Sequence, residues 1–331
     1  MSTTPQRRPV RLVVGAVVLC LALAAGVVLW LTRSSDQGTD YCGKLSEDKR
    51  VVTALGSAQR QDPDCARLGR AIRQATTGDK AGEHSLRQAQ AMKNVLIAVD
   101  DVTRDGEGPL DPALAVPLAE ALSDYMPDYV KITAPGQVEY VRRAGDSVPP
   151  WSDDQGVHMS VFPLTLLHVT RHLADDPAAY AQLRASATRE IAEEFAGVPR
   201  GAGEERFEAV AGGAGYVLGV LDAVAEDVRE DLGEDGRRHW RSDVFGRLTK
   251  DASVPPSYQD DPSGHIVKVW DGKLRGGGRD KLLATLETQT GEMVRAWGEG
   301  AALDSRLRES LLKKARDISA LGLHETARNL P

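Results

Sequence analysis

"ERFEAVAGGAGYVLGVLDAVAEDVREDL", residues 205–232, can be read in two ways. Its centre, Gly212 to Gly219, has the composition of a glycine-rich phosphate loop. Such a loop ends in Gly-Lys-Ser/Thr, and no lysine stands in this stretch. Over its full length, Val217, Leu221, Val224, Val228 and Leu232 recur at spacings of three and four, which is one face of a helix. The helix over 205–231 accounts for more of the residues. Gly215 and Gly219, four apart, then mark a place where a second helix approaches closely. Ala209–Leu221, thirteen apolar or small residues, is too short to span a bilayer. The stretch therefore belongs to the core of a helical domain.

The same periodicity extends outward in both directions. Short amphipathic helices are expected over 44–56 and 63–76, broken at "RQDPD", and a longer one over 84–103 with Leu86, Ala89, Met92, Leu96 and Val99 on one face. Asp111 before Pro112 opens another, running to about Ile132. Further helices are expected over 157–173, 177–195, 279–297 and 304–329. Residues 133–156 read as a long irregular stretch, with a short turn of structure at "VEYVRR" and a sub-boundary of the domain possible there. "ASVPPSYQDDPSG" reads as a second long loop and "HIVKVW" as a short strand. With 41% hydrophobic and 5% aromatic residues, the chain is rich in helix formers, and the fold class expected is all-α.

Leu12 to Leu31 is a run of twenty residues without a charge or a proline, long enough at helical rise to cross a bilayer core. Trp30 stands at one end, where aromatic residues favour the interface. The rival reading is a cleaved signal peptide, with Ala22-Leu23-Ala24 as a small-x-small site, but the apolar run continues past it. Arg7, Arg8 and Arg11 precede the run, so the positive-inside rule places the N-terminus in the cytosol and the rest outside. The expected organisation is a cytoplasmic tail over 1–11, a transmembrane helix over 12–33, a tether over 34–40 and an extracytoplasmic domain over 41–331.

Charge and cysteines agree with that topology. Residues 34–331 carry 37 basic against 48 acidic side chains, a poor surface for nucleic acid or anionic lipid. Beyond the apolar run only Cys42 and Cys65 occur, and in an exported chain such a pair reads as one disulfide.

Candidate chemistry is sparse. His168 and His172 lie four apart in "FPLTLLHVTRH", a spacing that can share a metal. Val169 stands where a metalloprotease helix carries its acid, and no further ligand lies nearby in sequence. Boundary histidines bonded to neighbours are the plainer reading. "YQDDPSG" lacks the spacing and terminal Glu of a calcium loop. Gly276 to Gly278 read as a flexible turn before a helix. Sequence indicates no catalytic residue and no cofactor.

"LDPALAVPLAEALSDYMPDYV" and "FPLTLLHVTRHLADDPAAYAQLRASATREIAEEF" resemble segments of actinobacterial helical proteins of unknown function, associated with small WXG100 proteins and type VII secretion. The likeness covers about residues 110–200 and rests on Leu118, Tyr125, Met126, Asp176, Tyr180 and Leu183. It implies a helical fold and no established enzymatic activity. Trp270-Asp271-Gly272 spells W-x-G but follows a proline-rich loop, and none of the seven tyrosines has an acid four residues on. The expected function is binding or scaffolding in the cell envelope, with the bilayer and an unidentified protein as partners and no nucleic acid. The alternative is an extracytoplasmic hydrolase or metalloprotein whose site is assembled from distant residues.

Overall fold

Aspartate sets the helix boundaries. Asp48, Asp64, Asp111, Asp176, Asp261 and Asp304 each cap a helix by accepting a hydrogen bond from a first-turn amide. In three of them proline follows at once, its missing N–H harmless at the first helical position (Pro112, Pro177, Pro262). The computed structural model describes residues 40–56, 64–104, 108–251 and 253–330. The expected tail, transmembrane span and tether fall outside the described residues, apart from Asp40.

The helices are α1 (Tyr41–Glu47), α2 (Lys49–Leu55), α3 (Cys65–Thr76), α4 (Leu86–Arg104), α5 (Pro112–Asp124), α6 (Met126–Thr133), α7 (Val138–Arg143), α8 (Pro163–Ala174), α9 (Pro177–Ala196), α10 (Glu204–Asp231), α11 (Glu234–Leu248), α12 (Pro262–Gly277), α13 (Leu282–Leu286), α14 (Gln289–Gly300) and α15 (Ser305–Ala327). A short antiparallel hairpin, β1 (Trp151–Asp153) and β2 (Gly156–His158), is the sheet among the described residues. The described residues from Tyr41 onward form one compact unit around a continuous apolar core. The fold is all-α apart from the hairpin.

The stretch quoted first is α10, a helix of 28 residues. Among the described residues it is the one helix long and apolar enough to cross a membrane, and most of its apolar window is buried inside the domain. It packs parallel to α15. A Cβ at Gly215 would stand 2.5 Å from the Ala315 carbonyl oxygen, and one at Gly219 only 2.2 Å from that of Ser319. From the other side, Gly322 would meet the Tyr216 carbonyl oxygen at 2.6 Å. Glycine is required at these three positions by backbone touching backbone. Trp297, stacked on Phe195 and Phe207, fills another part of the core.

At the N-terminal end, Cys42 and Cys65 form a disulfide with Cα atoms 5.4 Å apart, tying α1 to the start of α3. α1, α2 and α3 pack on α4, and α3 on α5 as well, burying Leu45, Val51, Leu68 and Ile72.

Several expectations are corrected. The helix expected over 44–56 is two, because Asp48 stops one and caps the next. The helix expected to run from 112 to 132 is also two, broken at Tyr125 before Pro127. Residues 157–158 are strand rather than helix. The 133–156 stretch holds α7 and β1, and it is pinned from below by the buried Lys93. Its ammonium donates to the carbonyl oxygens of Arg143, Gly145 and Val148 at 2.8–3.0 Å, one acceptor for each proton. "HIVKVW" is helical inside α12, because Ile266, Trp270 and Leu274 at spacings of four bury one stripe. α11 carries only two buried side chains, Trp240 and Val244, which left too faint a period to read.

Candidate functional site

His168 and His172 lie on one face of α8 but in different surroundings. His168 Nδ1 is 3.0 Å from Asp100 Oδ1, and the other oxygen of that carboxylate accepts from Thr165 and Arg104. His172 has a buried Nδ1 without a partner, and burial pushes its pKa down to about 4, the charges of Arg171 and His168 adding to the shift. Among the described residues no three His, Cys, Asp or Glu side chains converge to hold a metal ion. Of the two carboxylates of "YQDDPSG", that of Asp261 serves the fold by capping α12. Gly278, with φ +78°, ends that helix.

A second polar node fastens the hairpin. The Asp128 carboxylate accepts from the Tyr140 hydroxyl (2.7 Å) and the Met159 amide (2.9 Å), and His158 Nδ1 lies 2.9 Å from it. His158 Nε2 meets Asp153 at 2.9 Å. Hydrogen bonds to these two carboxylates push the histidine up to about 9. It is therefore an imidazolium at neutral pH, suited to holding the hairpin and unsuited to accepting a proton. Arg171 is likewise structural: its guanidinium gathers Asp175, Asp227 and Asp231.

One of several clefts with room for a ligand lies between α10, α14 and α15. A cleft of about 420 Å³ opens there, and Asp222, Glu287, Thr290 and Arg316 line it. Its floor is rigid. Asp222 accepts a 2.5 Å hydrogen bond from Arg184, a guanidinium in the core that also donates to Gln289 Oε1 at 2.8 Å and to the Leu286 carbonyl at 3.2 Å. Gln289 in turn donates to Thr188 at 2.7 Å. Every arm of the guanidinium is thereby matched, as a buried charge requires. Burial raises the Asp222 carboxyl to about 6 against the pull of Arg184, with Glu287 and Glu226 adding to the rise.

Above that floor, groups stand unmatched. Thr290 is only 2% exposed, yet its hydroxyl has no hydrogen-bond partner. Glu287 and Arg316 are exposed and form no ion pair among the described residues, whereas Glu292 beside them is held by Arg295 and Lys273. Gly291 lets Arg316 lie across α14, its Nε 3.4 Å from where a Cβ would be.

None of these residues stood out in the sequence. They come from α10, the turn before α14, α14 itself and α15, so no local motif unites them. The one available signal was a lone acid, Asp222, inside the apolar run of α10. No protein-family model, no curated protein and no solved structure matches the chain.

Proposed function

We propose that this chain is a binding protein of the cell envelope, held in the bilayer by residues 12–33, with its all-α domain outside the membrane. The Cys42–Cys65 disulfide supports an oxidising compartment. The cleft at Asp222 is the binding site in this reading, and the resemblance over residues 110–200 supports a setting near type VII secretion. The observation that carries binding is the unmatched hydroxyl of Thr290 over a fully matched ionic floor. A buried polar atom without a partner costs stability, and a ligand group would satisfy it.

The test is labelling of intact cells with a membrane-impermeant maleimide. Ala320→Cys places a thiol on the cleft, and Arg238→Cys places one on α11 outside its lining. Both should react from outside, and the cleft thiol should react more slowly in cells than in the purified chain. Labelling that requires breaching the membrane would overturn the topology. Equal rates at Ala320→Cys would show an empty cleft and overturn the site.

A second reading, an extracytoplasmic hydrolase, draws on Asp222 with its pKa near 6 beside the free Thr290 hydroxyl. Ester or peptide turnover by the purified chain, abolished by Thr290→Val, would favour it.

A further inference from the structure

The cleft contains opposite charges at separate points. Asp222 and Glu287 supply carboxylates, and Arg316 supplies a cation with no carboxylate on it among the described residues. Thr290 and Gly291 stand in the first turn of α14, a helix of twelve residues whose N-cap, Thr288, puts no side-chain oxygen on the amides. Such a turn presents N–H donors and the positive end of the helix dipole. Thr290, nine-tenths buried and with a hydroxyl that has no partner, is one of the residues lining the same cleft. A purely cationic ligand would leave Arg316 and the helix end unmatched. A purely anionic one would be pushed away by Asp222 and Glu287.

We propose that this cleft binds a small zwitterion of the α-amino acid class, the carboxylate on Arg316, the Thr290 hydroxyl and the first turn of α14, the ammonium on Asp222 and Glu287. The inference rests on the reading of this cleft as the binding site and names what that site takes. The volume of about 420 Å³ suits one such molecule and lies within the usual range for small-ligand sites. Arg184 holds Asp222 in place before the ligand arrives, so no ordering of the floor is needed on binding. Ligand binding would also complete the hydrogen bonding of Thr290.

The experiment is calorimetric titration of the full chain in lipid nanodiscs with each of the twenty L-amino acids, and with ethylamine and acetate as half-ligands. At least one amino acid should bind, and more tightly than either half-ligand. Arg316→Gln and Glu287→Gln should each weaken that binding about tenfold or more, the scale of one charge-assisted hydrogen bond. Asp222→Asn endangers the fold by unpairing Arg184, so Thr290→Val serves as the inner probe. It should weaken binding while leaving the melting temperature of the ligand-free chain unchanged or higher, since it removes an unsatisfied hydroxyl. Ethylamine or acetate binding as tightly as the best amino acid would overturn the proposal, as would binding indifferent to Arg316→Gln. No binding by any amino acid would overturn it too. In that last case, slow labelling of Ala320→Cys in cells would leave the binding reading standing with another occupant.

Discussion

Gly219 of α10 faces the main chain of Ser319 in α15 so closely that a Cβ would stand 2.2 Å from the carbonyl oxygen and 3.0 Å from the Leu323 nitrogen. Neither neighbour is a side chain that can swing aside. Gly219→Ala should therefore force the two helices apart and cost about 3 kcal/mol, the upper range for overpacking a core. Gly213 lies in the same helix with nothing within 4 Å of its Cβ position. Gly213→Ala should be neutral or stabilise by about 0.5–1 kcal/mol through helix propensity. Urea unfolding of the two variants measures the contrast, and equal midpoints would refute the close-approach argument.

That helix pair also shows what can be read from sequence. α10 was legible because its apolar residues hold one period for 28 positions and because Gly215 and Gly219 fall four apart within it. The Asp111-Pro112 start of α5 was legible by its chemistry alone. The hairpin was not, since strands of three residues carry no alternation to detect. What fixes it is Asp128, thirty residues before His158, while Lys93 holds the segment that leads into it. The cleft was hidden for the same reason. Asp222, Thr290 and Arg316 meet only because glycines bring α10 and α14 against α15.

The disulfide should matter locally. Cys42 and Cys65 are 23 residues apart, and the chain-entropy model gives a closed loop of this size a stabilisation of about 3 kcal/mol. Cys42→Ser should remove that amount and loosen α1, α2 and the start of α3, leaving α8 to α15 protected. Hydrogen exchange resolves the two regions. Uniform loss of protection across the domain would show that the bridge supports the whole fold.

Lys93 should be needed for the order of residues 143–150. Its ammonium reaches three carbonyl oxygens from inside the core, and burial holds its pKa below the usual lysine value. Lys93→Met keeps most of the volume and leaves three acceptors without a donor. A cost of about 3 kcal/mol follows if most of those acceptors stay dry. Limited proteolysis should then cut between Arg143 and Trp151 in the variant and spare that segment in the parent chain. Identical cleavage maps would mean that the lysine does not hold the loop.

His172 sets an acid limit on stability. Its folded pKa is depressed to about 4, chiefly by burial, against about 6.5 in the unfolded chain. Above pH 6.5 the imidazole is neutral in both states and its titration costs nothing. As pH falls from 6.5 toward 4 the unfolded chain takes up the proton first, so the folded state loses stability throughout that window. The full loss is about 3 kcal/mol by linkage. Glu190 runs the other way. Burial, with Glu194 and Glu193 alongside, raises it to about 7 from an ordinary value of 4.5. Its penalty grows as pH rises from 4.5 to 7 and is relieved in acid. The two groups therefore oppose each other over the same range, and a single stability curve would hide both. Subtracting curves separates them. His172→Gln should gain on the parent chain as pH drops from 7 to 4, while Glu190→Gln should gain on it as pH climbs from 4.5 to 7.5. Denaturant titrations at half-unit steps would reveal the crossing, and difference curves that stay flat would place both side chains in contact with water.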